Sequence, residues 1–118
     1  MINSELGHVK TLEEFNSEIR RQQEDAHGED YCQIHDAIVK YMKDCDSYME
    51  LGVHQGGTAS AAMLTNPGFV QLVDISFEKY NKFLAPIAKK YCKKNGTHLV
   101  LKEVDSRTFP AIATVDML

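Results

Sequence analysis

Apolar residues in the first part of the chain recur at helical spacing. A first helix is predicted from Thr11, where Thr11 and Glu14 fit a capping box, to Asp25, before a break at Ala26-His27-Gly28. A second helix is predicted over 30–43. The apolar positions that define the two helices are Leu12, Phe15 and Ile19, then Tyr31, Ile34, Ile38, Val39 and Met42.

From Tyr48 onward short apolar runs alternate with helical segments. Strands are predicted over 48–53, 69–75 and 98–104, and a fourth begins at 115–118. Between them we expect helices over 58–64, 76–95 and 107–114, the second of which Pro86 kinks or divides. Strands that alternate with helices form a parallel sheet with right-handed crossovers. The sequence therefore predicts one compact α/β domain, with a helical segment at 1–46 and the sheet at 47–118.

Composition narrows the functional class. The chain has 118 residues, 43% of them hydrophobic and 25% charged, and a net charge of −4, which argues against a nucleic acid or an acidic membrane as the partner. No apolar run could span a bilayer and no signal peptide is recognisable, so we expect a cytoplasmic protein. Three widely spaced cysteines and five scattered histidines form no metal-binding motif, so no metal is predicted.

The most informative segment is the glycine-rich turn that follows the first predicted strand. Such a turn lets a ligand approach the backbone closely. Its glycines, Gly52, Gly56 and Gly57, do not match the GxGxxG spacing of dinucleotide sites, and the segment lacks the lysine of a phosphate-binding P-loop. Glu50, Gly52 and Gly56 instead match the pattern E-x-G-x-x-x-G.

With Thr58 in the last place, the segment resembles the first motif of class I S-adenosylmethionine-dependent methyltransferases. It is most similar to the small-molecule O-methyltransferase branch, whose motif reads E-x-G-x-x-x-G-x-[ST]. The resemblance runs from about Ser47 to Leu118, and the two N-terminal helices correspond to variable helices of that family. It implies a Rossmann-like sheet of order 3-2-1-4, with S-adenosylmethionine as cofactor and S-adenosylhomocysteine as product. The implied reaction is methyl transfer to a small acceptor, at an oxygen atom as in this branch of the family.

The same resemblance implies roles for further residues. Asp74, 22 residues after Gly52, would accept hydrogen bonds from both ribose hydroxyls, and Ile75 would pack on the adenine. Asp105 and Ser106 would lie near the adenine amino group. The cofactor-binding set implied is Glu50, Gly52, Val53, His54, Gly56, Gly57, Thr58, Asp74, Ile75, Asp105 and Ser106.

Simpler roles remain open for several of these residues. Glu50 is also explained as a helix-cap or loop acceptor, and Asp74 as an N-cap in competition with Ser76. Asp105 is equally explained as a cap of the following helix. His54 either lines the methionine end of the pocket or points to solvent.

Two other functions stay open for the whole chain. One is an enzyme that binds a nicotinamide dinucleotide, and the other is a non-catalytic binding or assembly module. In the resembling family the catalytic and acceptor-binding residues follow the fourth strand, so no catalytic residue is assigned. We expect the chain alone to be inactive and to form a homodimer or larger assembly through the incomplete edge of its sheet.

Overall fold

Two helices precede the sheet in a computed structural model that describes residues 9–104. Helix α1 spans Leu12–His27 and helix α2 spans Gln33–Met42. The predicted capping box is present, because the Thr11 hydroxyl accepts from the Glu14 backbone N–H and the Glu14 carboxylate accepts from that of Thr11. Helix α1 ends at Gly28, which adopts a φ of 107°.

Within residues 9–104 the sheet has three parallel strands, in the order β1-β2-β3. Strand β1 spans Ser47–Leu51, β2 spans Phe69–Asp74 and β3 spans His98–Glu103. This confirms an α/β domain with an open parallel sheet and flanking helices. The predicted helix over 107–114, the fourth strand over 115–118 and any pairing through it lie outside the described residues.

Short helices connect the strands. Helix α3 spans Gly57–Met63 and joins β1 to β2. The predicted helix between β2 and β3 is divided into α4, Glu78–Phe83, and α5, Ala85–Asn95, with Pro86 in the first turn of α5. Proline is tolerated there because the first N–H groups of a helix have no intrahelical acceptor. Gly96 ends α5 in the left-handed conformation, as the Asn95-Gly96 pair predicts.

The core lies between one face of the sheet and the helices. Tyr48, Val70 and Leu72 point to this face and pack in one cluster with residues of α1, α3 and α5, among them Phe15 and Ala88. Residues that alternate with them along the strands, Met49, Gln71 and Val73, are also buried but lie outside that cluster. Of the helices that the structure describes, none is long and apolar enough to cross a membrane.

The apolar stripe predicted for α2 is only partly buried. Ile38 and Met42 belong to the core, whereas Tyr31, Ile34 and Val39 are between 44% and 54% exposed. The helix is rotated so that His35 joins Ile38 and Met42 on the buried face, at spacings of three and four residues. His35, which was expected beside the apolar stripe, therefore lies on the face of α2 that packs against the rest of the protein.

Candidate functional site

The turn after β1 is shaped by residues with positive φ. Strand β1 ends at Leu51, two residues earlier than predicted, because Gly52 turns the chain with a φ of 80°. His54 and Gly56 continue the turn at φ values of 53° and 94°. The Gly52 N–H still donates to the Val73 carbonyl of β2, at 2.8 Å. The turn therefore stays attached to the sheet at the carboxyl ends of β1 and β2, where open parallel sheets bind ligands.

Asp74, the last residue of β2, holds this turn in place by hydrogen bonds. Its Oδ2 accepts from the backbone N–H groups of Val53, at 2.7 Å, and His54, at 2.9 Å. Its Oδ1 accepts a longer bond, 3.3 Å, from the Ser76 N–H. Burial by itself opposes ionisation of Asp74, but these backbone hydrogen bonds outweigh it, so the pKa of the carboxyl is lowered. Asp74 is thus an ionised group beside the turn. The N-cap position of α4 is Phe77, whose side chain makes no capping hydrogen bond.

Glu50 forms a buried polar cluster below the same turn. Its Oε1 accepts from the Tyr48 hydroxyl and, at 2.8 Å, from the Thr58 hydroxyl. Its Oε2 is buried and has no hydrogen-bond partner among residues 9–104. Burial raises the pKa of Glu50, although the bonds from Tyr48 and Thr58 act in the opposite direction. The carboxylate therefore retains an acceptor atom that the described part of the chain does not satisfy.

We expect Glu50→Gln to become more stable relative to the unchanged protein as pH rises. Because the folded state holds Glu50 at a raised pKa, folding favours the protonated form, and stability falls once the pH exceeds the unfolded value of about 4.3. Glutamine keeps a carbonyl oxygen for Tyr48 and Thr58 but carries no charge. Urea unfolding from pH 4 to pH 8 measures the difference, with Glu29→Gln as a control for charge removal at an exposed position. A difference that is independent of pH, or that shifts toward the unchanged protein as pH rises, would contradict the burial argument.

Two adjoining cavities open around the turn. The first, about 380 Å³, lies along β1, and the second, about 360 Å³, lies between the turn and the N-terminal helices. They share Ile34, Gly52 and Thr58. The first contains Glu50 and Tyr48. The second contains Gln23 of α1, His35 of α2 and His54 of the turn.

The N-terminal helices contribute residues that the sequence analysis did not assign to the site. His35 is 6% exposed and packs against Gly57, at the start of α3. Asn16 of α1 contacts His35 Nδ1 at 3.4 Å and donates to the Ser60 hydroxyl at 2.9 Å. The one available signal was the spacing of His35 from Ile38 and Met42, which places it on the same helical face as two core residues.

The remaining predicted site residues are Ile75, Gly57, Thr58, His54, Asp105 and Ser106. Ile75 follows β2 directly and is 71% exposed, so its side chain is accessible to a ligand. Gly57 and Thr58 begin α3, and the His54 side chain lines the second cavity. Asp105 and Ser106 lie outside the described residues. Within 9–104, no three histidine, cysteine or acidic side chains are grouped so as to hold a metal ion.

Comparison with known proteins does not assign the chain to a family. No protein-family model matches the chain, and no curated protein matches it. The site is therefore defined by its own geometry. It offers an ionised carboxylate, a buried carboxylate oxygen without a hydrogen-bond partner among residues 9–104, and a glycine turn at the ends of two parallel strands.

Proposed function

We propose that the chain is the cofactor-binding part of a class I S-adenosylmethionine-dependent methyltransferase that methylates an oxygen of a small acceptor. The observation that carries the proposal is the position of Asp74. It ends β2, contacts the glycine turn that follows β1, and is followed by the accessible Ile75. In the proposed complete sheet, of order 3-2-1-4, this point is the topological switch at which ligands bind.

Each part of the site has a matching part of the cofactor. Asp74 Oδ1, which accepts a long hydrogen bond from the Ser76 N–H, would accept from the ribose hydroxyls, and Ile75 would cover the adenine. Glu50 lines the first cavity and would attract the ammonium group of the methionine end, since a carboxylate stabilises a nearby cation. The bound cofactor would supply a sulfonium methyl group, and the described residues would orient it. They include none to which we assign a role in proton transfer.

Calorimetry with the full chain tests the proposal. We expect S-adenosylhomocysteine to bind measurably and NAD to bind more weakly or not at all. The turn lacks the GxGxxG spacing that presents backbone amides to a pyrophosphate. Tighter binding of NAD would favour a nicotinamide-dependent enzyme. Failure of both ligands to bind would contradict the proposal and favour a non-catalytic module.

A further inference from the structure

A third cavity lies between α5 and β3, away from the turn that follows β1. Its volume is about 470 Å³, and it shares no lining residue with the first two cavities. Leu99 of β3 packs against the core, whereas Leu101, two residues further and on the same face of the strand, is 37% exposed. Both leucines line the cavity. Helix α5 therefore leaves part of the apolar surface of β3 uncovered.

Two lysines of α5 line the same cavity. Lys89 and Lys93 are exposed and lie four residues apart, on one side of the helix. Neither forms an ion pair within the described part of the chain, where the ion pairs join Arg20 and Arg21 to acidic residues. The helix dipole favours Lys93, in the last turn, but does not explain Lys89, in the middle of the helix. Because like charges at this spacing repel, an anion beside both lysines would stabilise the helix.

No negative charge among the described residues of the cavity opposes these lysines. The lining contains neither aspartate nor glutamate. Burial raises the pKa of the Cys92 thiol, which also lines the cavity, to about 11, so the thiol is uncharged near neutral pH. A ligand that enters the cavity therefore meets positive charge beside apolar surface.

Tyr80 of α4 adds a hydrogen-bond donor to this lining. The side chain is 1% exposed, and its hydroxyl has no hydrogen-bond partner within residues 9–104. Burial raises the pKa of Tyr80, and the nearby Cys92 acts in the same direction. Since a buried hydroxyl without a partner is unfavourable, a ligand oxygen that accepts from Tyr80 would stabilise the protein.

We propose that the cavity between α5 and β3 binds a carboxylic acid with an apolar chain, at a site separate from the turn after β1. The chain contacts Leu99 and Leu101. The carboxylate lies beside Lys89 and Lys93 and accepts from the Tyr80 hydroxyl. Cations and a hydroxyl donor together select an oxygen anion, and the uncovered leucines select an apolar body. The inference does not depend on the proposed cofactor.

Two ligands with the same chain and opposite charges test the site. We expect the full chain to bind decanoate at least about 10-fold more tightly than decylammonium, because a cation beside the lysines is repelled. Calorimetry below the micelle-forming concentrations measures both affinities. Lys89→Gln combined with Lys93→Gln should weaken decanoate about 5-fold or more, the effect of losing two exposed ion pairs. Tyr80→Phe keeps the ring and should weaken decanoate about 10-fold, as for a hydrogen bond to a charged group.

Lys90→Gln combined with Lys94→Gln is the matched control. These lysines belong to the same helix, and their removal changes the net charge equally, but they line a different cavity beside α1. Decanoate affinity should change by less than about 2-fold in this control. Circular dichroism should show that every variant is folded.

Four results would overturn the proposal. Equal affinity for the two ligands, or equal losses in the two double variants, would show that the overall charge of the protein attracts the anion. Failure of decanoate to bind would exclude the site. Competition between decanoate and S-adenosylhomocysteine would place the anion at the turn after β1. A concentration-dependent dimer that Leu101→Lys abolishes would assign the uncovered surface to a second copy of the chain.

Discussion

Gly56→Ala is expected to destabilise the protein by about 2–5 kcal/mol, and far more than the same substitution at Gly96. Both glycines adopt the left-handed conformation, with φ and ψ of 94° and 18° at Gly56 and of 75° and 19° at Gly96. An alanine in that conformation costs about 1–2 kcal/mol at either position. At Gly56 the new Cβ would also overlap the Leu84 side chain, which is fully buried, and overpacking of a core adds about 1–3 kcal/mol.

Gly96 is the matched control because its Cβ position is open. Apart from its two neighbours in the chain, no described residue has a heavy atom within 4 Å of it. Denaturant unfolding of both variants gives the two free energies, and their difference isolates the contact with Leu84. Equal destabilisation would show that the turn and Leu84 can move apart. The Gly56→Ala variant combined with Leu84→Ala should then show no recovery of stability.

Asp74→Ala is expected to weaken both folding and ligand binding. Removal of the carboxylate leaves the Val53 and His54 N–H groups without their acceptor, and an unsatisfied buried donor costs about 1–3 kcal/mol. Asp74→Asn retains one carbonyl oxygen for these donors and should lose less stability. Both variants should bind S-adenosylhomocysteine at least about 10-fold more weakly, because both lose the charged acceptor proposed for the ribose.

The pH dependence of stability gives a second test, of whether Asp74 is ionised in the folded protein. Its pKa is lowered in the folded state, so its contribution is present above the unfolded value of about 3.9 and is lost as pH falls through the folded value. The stability difference between the unchanged protein and Asp74→Asn should therefore be constant near neutrality and shrink in acid. A difference that grows in acid would contradict the ionised state. Unchanged ligand affinity in both variants would remove the ribose assignment.

Local features of the fold could be predicted from the sequence because neighbouring residues determine them. The Thr11–Glu14 capping box, the division of a helix near Pro86 and the left-handed end at Gly96 each depend on a few adjacent side chains. The first two strands could be predicted from apolar runs of strand length, and the third from alternation of apolar and polar residues over 98–104. Asp74 could be identified because it comes at the end of the apolar run that forms β2.

Contacts between distant segments could not be predicted in the same way. Periodicity shows that α2 has apolar residues, but not which of them face the core, and Tyr31 and Ile34 are exposed while His35 is buried. The hydrogen bond from Asn16 to Ser60 joins residues 44 positions apart. The unsatisfied Glu50 Oε2 likewise depends on how α3 and β1 pack, and no local pattern encodes it.

The anchoring of the glycine turn by Asp74 also affects how quickly a ligand could bind. Fixing a flexible backbone costs about 1–2 kcal/mol per residue. In this protein that cost for Val53 and His54 is met during folding, before any ligand arrives. A preorganised site loses less entropy on association and needs no slow rearrangement of the turn before productive encounter. The association rate should therefore be set mainly by diffusion into the cavities, and differences among ligands should appear in their dissociation rates.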